Sequence, residues 1–278
     1  MEAGQTPDTV AVDEPVTIGN WSPHDFEPGY LGPITLERAL AQSINTVAAR
    51  LADQVGRPTV AADARRLGIV TPINTDPAMA LGTSLVTPFE MAEAYDAFSN
   101  GGNRVGAFGV ERIRTSGGQL IYRAPAPVTI PAIANPPLSE LDRMLRTVVA
   151  SGTGVHAAIP GYDIAGKTGT TSDYKDAWFC GFTGGLTTVV WMGRDDNAPM
   201  HGITGGTAPA AFWHAFMVRA VHRLPVSPIP VGPAGPAPPA PAVPSPFEAP
   251  FDQTPLGPAP SPPASSTPAD MGFSPPAD

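Results

Sequence analysis

The 278-residue sequence predicts a mixed α+β domain: helices first, then a late antiparallel meander, then one closing helix. Two observations carry this expectation. Four segments before residue 150 show helical apolar spacing or helix start and stop signals. Later, Ala177 to Thr183 and Leu186 to Met192 read as apolar strands around a Gly184-Gly185 turn.

Residues 1 to 34 look irregular, with a β-like Thr9-Val-Ala-Val and a turn-rich Trp21-Ser-Pro-His-Asp-Phe-Glu-Pro-Gly. Thr35 caps a helical region through Leu36, Leu40, Val47, Leu51 and Val55, which Gly56 closes. A short helix from Val60 to Leu67 stops at Gly68. Thr87-Pro88-Phe89-Glu90 is a capping box with proline at the first helical position, opening a helix that ends at Asn100-Gly101. Val105 to Tyr122 reads as a hairpin turning at Ser116-Gly117-Gly118, and Leu138 to Val149 as an amphipathic helix. Ala208 to Val221 is the closing helix, whose Phe212, Trp213, Phe216 and Met217 are expected to cover the sheet.

Composition divides the chain into a domain at 1–224 and a tail at 225–278. From Pro225 to Asp278 there is no Lys or Arg, and Pro, Ala, Gly and Ser dominate. Such a segment buries too little apolar surface to offset its ordering entropy, so a disordered, partly polyproline-II tail is expected. A net charge of −9 argues against nucleic acid as a partner. The single Cys180 lies in an apolar strand, where a buried inert thiol is expected. Neither His201, His214 and His222 nor Asp195-Asp196 has the spacing of a metal site, so no metal or other cofactor is expected.

The chemistry concentrates in Asp163-Ile-Ala-Gly-Lys167-Thr168-Gly169-Thr170-Thr-Ser172. Gly161 to Thr168 satisfies the letters of a phosphate-binding loop, G-x-x-x-x-G-K-[ST]. That loop must leave a buried strand and open a helix whose N–H groups hold the anion. Here a Pro160-Gly161 turn precedes it and strands follow, so Lys167 is placed instead on the first strand of the meander. Taken singly, Ser43 would be a helix cap, Asn45 a solvated helix residue and Lys167 a surface cation.

In combination they say more. Ser43-Ile-Asn45 stands in an alanine-rich helical stretch, and Asp176-Ala-Trp-Phe-Cys-Gly-Phe-Thr183 follows Lys167-Thr-Gly-Thr170. With Tyr30-Leu-Gly-Pro-Ile-Thr, Val86-Thr-Pro-Phe-Glu-Met-Ala92, Gly152-Thr-Gly154 and Gly193-Arg-Asp-Asp196, this order resembles the transpeptidase domain of class A penicillin-binding proteins, from about Trp21 to Trp213. The resemblance implies a penicilloyl-serine transferase fold and a serine acyl-enzyme. Such an enzyme cleaves a D-Ala–D-Ala stem peptide of peptidoglycan, passes the acyl group to a neighbouring amine, and is trapped by β-lactams. It also implies roles: Ser43 as proton shuttle, Asn45 orienting the substrate carbonyl and the catalytic lysine, and Lys167 as positive potential. Thr168 and Thr170 would bind the donor carboxylate across Gly169, and the Thr170 N–H would be an oxyanion donor. A place at the periplasmic face of the inner membrane and other proteins of cell-wall synthesis as partners follow from the same likeness.

One departure stands beside these matches. The family's nucleophile lies in a Ser-x-x-Lys upstream of Ser-x-Asn, whereas here the only such motif is Ser172-Asp-Tyr-Lys175, on a turn between strands. The expectation is a C-terminal piece of the domain, with the N-terminal part of the fold missing, that is inactive alone. A serine β-lactamase or D,D-carboxypeptidase, a nucleotide-binding protein and a non-catalytic binding module remain the competing readings.

Overall fold

The computed structural model describes residues 1–232; residues 233–278, where most of the expected tail falls, lie outside the described residues. The first 35 residues are more regular than their turn-rich sequence suggests. Strand β1 (Val10–Asp13) pairs antiparallel with β2 (Gly32–Thr35), setting Ala11 opposite Ile34. Pro33 is tolerated because a two-stranded ribbon leaves each strand an open edge. Thr35 then caps α1 (Leu36–Ala41), its hydroxyl accepting the Arg38 N–H at 3.2 Å. The helical region expected to run on to Val55 is broken after Gln42, and α2 (Asn45–Val55) starts afresh. Gly68, at φ 117, closes α3 (Arg57–Leu67), a left-handed stop that glycine adopts without strain. Both halves of the predicted capping box form at α4 (Pro88–Ser99).

The hairpin expected from Val105 is shorter than its apolar run. Strand β3 (Asn103–Val105) pairs instead with β6 (Thr129–Pro131), and only β4 (Arg112–Arg114) and β5 (Leu120–Arg123) form the hairpin. Helix α5 (Pro137–Ser151) leads to the main sheet, β7 (Ala165–Thr170), β8 (Asp176–Thr183) and β9 (Leu186–Gly193). Its order is β7-β8-β9, antiparallel throughout, as the meander predicted.

Strand alternation sends Phe179 and Phe182 of β8 to opposite sides. Phe179 meets Trp213 of α6 (Ala208–Ala220), ring centroids 5.2 Å apart. Phe182 meets Phe98 of α4 at 6.0 Å and joins Leu138 and Leu145 of α5. The sheet is thus covered on both faces. On α6, Trp213 and Met217 are fully buried while Phe212 and Phe216 are exposed, so the covering face is narrower than the four apolar residues suggested.

The packed chain also passes the expected boundary at 224. Ser227 bridges to Gly184, the Ile229 N–H donates to Asp163 at 2.9 Å, and Ile229 is buried with Phe98 and Phe182. Val226, Ile229 and Val231, spaced among prolines, gave no periodic signal, yet Ile229 fills a place in the core.

Candidate active site

The break between α1 and α2 carries Ser43 in a left-handed backbone, φ 58, which costs a non-glycine residue on the order of 1–3 kcal/mol. Neighbouring hydrogen bonds impose it: the Ser43 N–H donates to Leu40 and the Ile44 N–H to Ala39. So turned, the Ser43 hydroxyl meets β7, and the Lys167 ammonium donates to Ser43 Oγ at 2.8 Å across 124 residues of sequence. The same ammonium donates to the Thr168 carbonyl at 3.0 Å and reaches the Thr168 hydroxyl at 3.4 Å.

Asn45, two residues on, is held separately. Its amide donates to the His24 carbonyl at 2.7 Å, and among the described residues no hydrogen bond joins it to Ser43 or Lys167. The start of α2 is capped from outside the helix. Asp25 Oδ1 accepts the N–H groups of Asn45 and Thr46 at 2.6 and 3.2 Å, the favoured place for a carboxylate. Behind it the buried Thr46 hydroxyl donates to buried Asp13 at 2.6 Å. Sequence reasoning read Asp25 as part of a turn and Asp13 not at all, because their partners lie at least eighteen residues away.

β7 is an edge strand of its sheet. Since the Thr171 N–H donates inward to Asp176 at 3.0 Å, alternation turns the Thr170 N–H toward the free edge. Gly169 lies flat on Trp178, where a side chain would crowd the indole. The exposed Thr170 hydroxyl accepts the Gly205 N–H at 3.0 Å, and the Thr168 hydroxyl lies 2.6 Å from that of Thr153. Burial pulls the Lys167 pKa down to about 8, so the group is still mostly cationic at neutral pH. Burial likewise pushes the neighbouring Cys180 thiol up to about 12, leaving it un-ionised and inert. The arrangement offers a cation, two threonine hydroxyls and an edge N–H along one strand, beside a serine hydroxyl able to relay a proton.

Lys167 does not sit at a strand-to-helix junction: Gly166, Lys167 and Thr168 are extended and paired with β8, and a turn follows them. A phosphate loop's fan of helix N–H groups is therefore not formed at these residues. Ser172 is exposed on that turn, and the Lys175 ammonium lies 4.0 Å from Asp173. Trp178 and Trp191 face each other across β8 and β9 with centroids 6.2 Å apart, and Trp191 is 42% exposed, so the pair is not core.

Comparison with known proteins gives concordant findings. Residues 1–212 match the family described as penicillin binding protein transpeptidase domain. Penicillin-binding protein 1A of Neisseria meningitidis serogroup B is 35% identical over 231 residues, covering 78% of this chain and 29% of that protein. Penicillin-binding protein 1A of Aquifex aeolicus is 36% identical over 178 residues, 63% of this chain and 24% of its own length. This chain thus spans under a third of the length of these relatives. Among solved structures, penicillin-binding protein 1A from Haemophilus influenzae superposes with a TM-score of 0.75 at 26% identity, over 84% of this chain and 42% of that one. The PonA1 protein from Mycobacterium tuberculosis, solved with penicillin V, gives 0.71 at 26% identity, over 86% and 71%.

Proposed function

The chain belongs to the penicillin-binding protein transpeptidase domain family, and from that premise we propose that it forms the carboxyl-terminal part of a serine D,D-transpeptidase that cross-links peptidoglycan stem peptides. The observation that carries this reading is the 2.8 Å hydrogen bond from Lys167 to Ser43. It brings together two motifs that are 124 residues apart in sequence. The Lys167 cation and the Thr168 and Thr170 hydroxyls bind the terminal carboxylate of the donor, an acceptor-only group that needs such donors. The edge-facing Thr170 N–H stabilises the oxyanion of the tetrahedral intermediate. Ser43, held against a cation, relays a proton toward the departing amine, and the Asn45 amide orients the substrate's peptide carbonyl.

In this reading the attacking serine comes from a Ser-x-x-Lys outside these 278 residues, and the chain alone forms no acyl-enzyme. The support is chemical. Ser172 and Lys175 share a turn on which the lysine ammonium faces Asp173. β-Lactams, which mimic the donor, acylate the complete enzyme. In this reading the complete protein is membrane-anchored and faces the periplasm; among the described residues no helix is long and apolar enough to cross a membrane.

The test is covalent labelling with a fluorescent penicillin. The 278-residue chain gives no adduct, and the protein extended through an upstream Ser-x-x-Lys gives one. Labelling of the short chain at Ser172 would overturn the assignment. Product analysis of the extended protein separates the cross-linked dimer of a transpeptidase from the trimmed peptide of a carboxypeptidase and from lactam hydrolysis.

A further inference from the structure

We propose that Thr153 is a positioning residue for carboxylate recognition: its hydroxyl orients the Thr168 hydroxyl so that the Thr168 proton faces the anionic end of the substrate. The proposal rests on the reading of Thr168 given above. Thr153 lies in the loop after α5, and four contacts fix that loop. Its N–H donates to the Ala41 carbonyl at 3.0 Å, two residues before Ser43. A Cβ at Gly152 would collide with the same carbonyl, so the loop lies flush on the end of α1. On the far side a Cβ at Gly206 would collide with the Thr153 carbonyl, and His156 Nδ1 hydrogen-bonds the Gly206 carbonyl at 2.7 Å. Thr153 therefore ties the Ser43 break, the Thr168 strand and the Gly205-Gly206 turn to one another.

The proton arithmetic gives this joint a chemical role. Each threonine hydroxyl offers one donor and two acceptor lone pairs. Thr153 Oγ1 and Thr168 Oγ1 are 2.6 Å apart, a short hydroxyl pair in which one proton lies between the oxygens. Lys167 Nζ, a cation with protons only to give, lies 3.4 Å from Thr168 Oγ1. When Thr153 donates, the Thr168 oxygen accepts from both neighbours, and its own proton turns outward to the ligand. When Thr168 donates to Thr153, no proton remains for a carboxylate. A carboxylate accepts only, so its arrival selects the first arrangement, and Thr153, by donating to a Thr168 lone pair, holds the Thr168 hydroxyl in it. Among the described residues the Thr153 hydroxyl has no other side-chain partner, which leaves its proton free for this bond.

The experiment measures acylation of the extended, Ser-x-x-Lys-bearing enzyme by benzylpenicillin and by its methyl ester. The readout is the ratio of the two second-order rate constants, which isolates recognition of the carboxylate. Thr153→Val lowers that ratio about three- to tenfold, the range for one lost hydrogen bond, and Thr153→Ser restores it. Thr168→Val lowers it as well, which reports independently on the underlying site reading. A lowered ratio in Thr168→Val with an unchanged one in Thr153→Val overturns the inference and leaves the site intact. So does a Thr153→Val that slows acid and ester equally, since that is a packing effect. A Thr153→Ser as impaired as Thr153→Val excludes the hydroxyl as the agent. An unchanged ratio in Thr168→Val overturns the site reading itself. Should Thr153→Val not fold, Thr153→Ala reports on the same ratio.

Discussion

Replacing Asp142 with asparagine should stabilise the domain at alkaline pH and flatten its pH dependence. Asp142 is 2% exposed on α5, and one of its carboxyl oxygens has no hydrogen-bond partner. Arg146, one turn along, does not neutralise it, because its guanidinium donates to Asp163 at 2.6 and 2.9 Å. Burial consequently pushes the Asp142 pKa up from 3.8 to about 7, with Asp163 adding to the rise and Arg146 opposing it. The folded protein therefore keeps, between those two values, a proton that the unfolded chain releases. Stability contributed by this group is fully present below the unfolded pKa and is lost as pH rises toward and through about 7. At about 1.36 kcal/mol per pKa unit the shift sets a ceiling of about 4 kcal/mol. Relaxation and water entry reduce that to the order of 2 kcal/mol. Urea unfolding of the 278-residue chain and of Asp142→Asn, each at pH 5 and pH 8, measures it. The difference between the two pH values cancels any fixed packing cost of the amide. Because part of the loss has already occurred by pH 5, the stability gap should move in the variant's favour by about 1 kcal/mol between pH 5 and pH 8, and an equal gap at both pH values would refute the reasoning.

Two further perturbations test structure that composition alone did not disclose. Ile229→Ala removes a buried side chain from the cluster of Phe98, Leu138 and Phe182 and should cost about 2–4 kcal/mol in urea unfolding; a loss under about 0.5 kcal/mol, normal for surface sites, would mean that residues 225–232 are not part of the folded unit. Asp25→Ala strips the carboxylate cap from α2 and should cost about 0.5–2 kcal/mol, with a matching loss of amide-exchange protection at Asn45 and Thr46. Unaltered exchange there would show that the helix start does not depend on Asp25.

Local signals carried most of the fold. The Thr87 to Glu90 capping box, the Gly68 stop and the Gly184-Gly185 turn each fix structure through residues close in sequence, and each formed as expected. What the sequence hid is long-range. The break before α2 requires Ser43 at positive φ, which no propensity of serine announces and which the neighbouring carbonyls impose. The β3–β6 pairing spans an intervening hairpin, so the apolar run from Val105 looked like part of that hairpin. The Ser43, Lys167 and Thr168 cluster was legible as motifs, whereas Asp25, Asp13 and Thr153 act through partners at least fifteen residues away. A single sequence shows such residues only as parts of turns and loops.

Lys167, held against Ser43, is proposed to supply the positive potential for acyl transfer. The most direct test of that role is the rate of penicillin acylation by the extended enzyme with Lys167→Ala, against the unmodified protein. Losing one such preorganised donor raises the barrier by about 2.7–4 kcal/mol, which predicts a fall of about 10²–10³ in the second-order rate constant. A Lys167→Ala enzyme that folds as the parent does and is acylated at the parent's rate would contradict that role for Lys167.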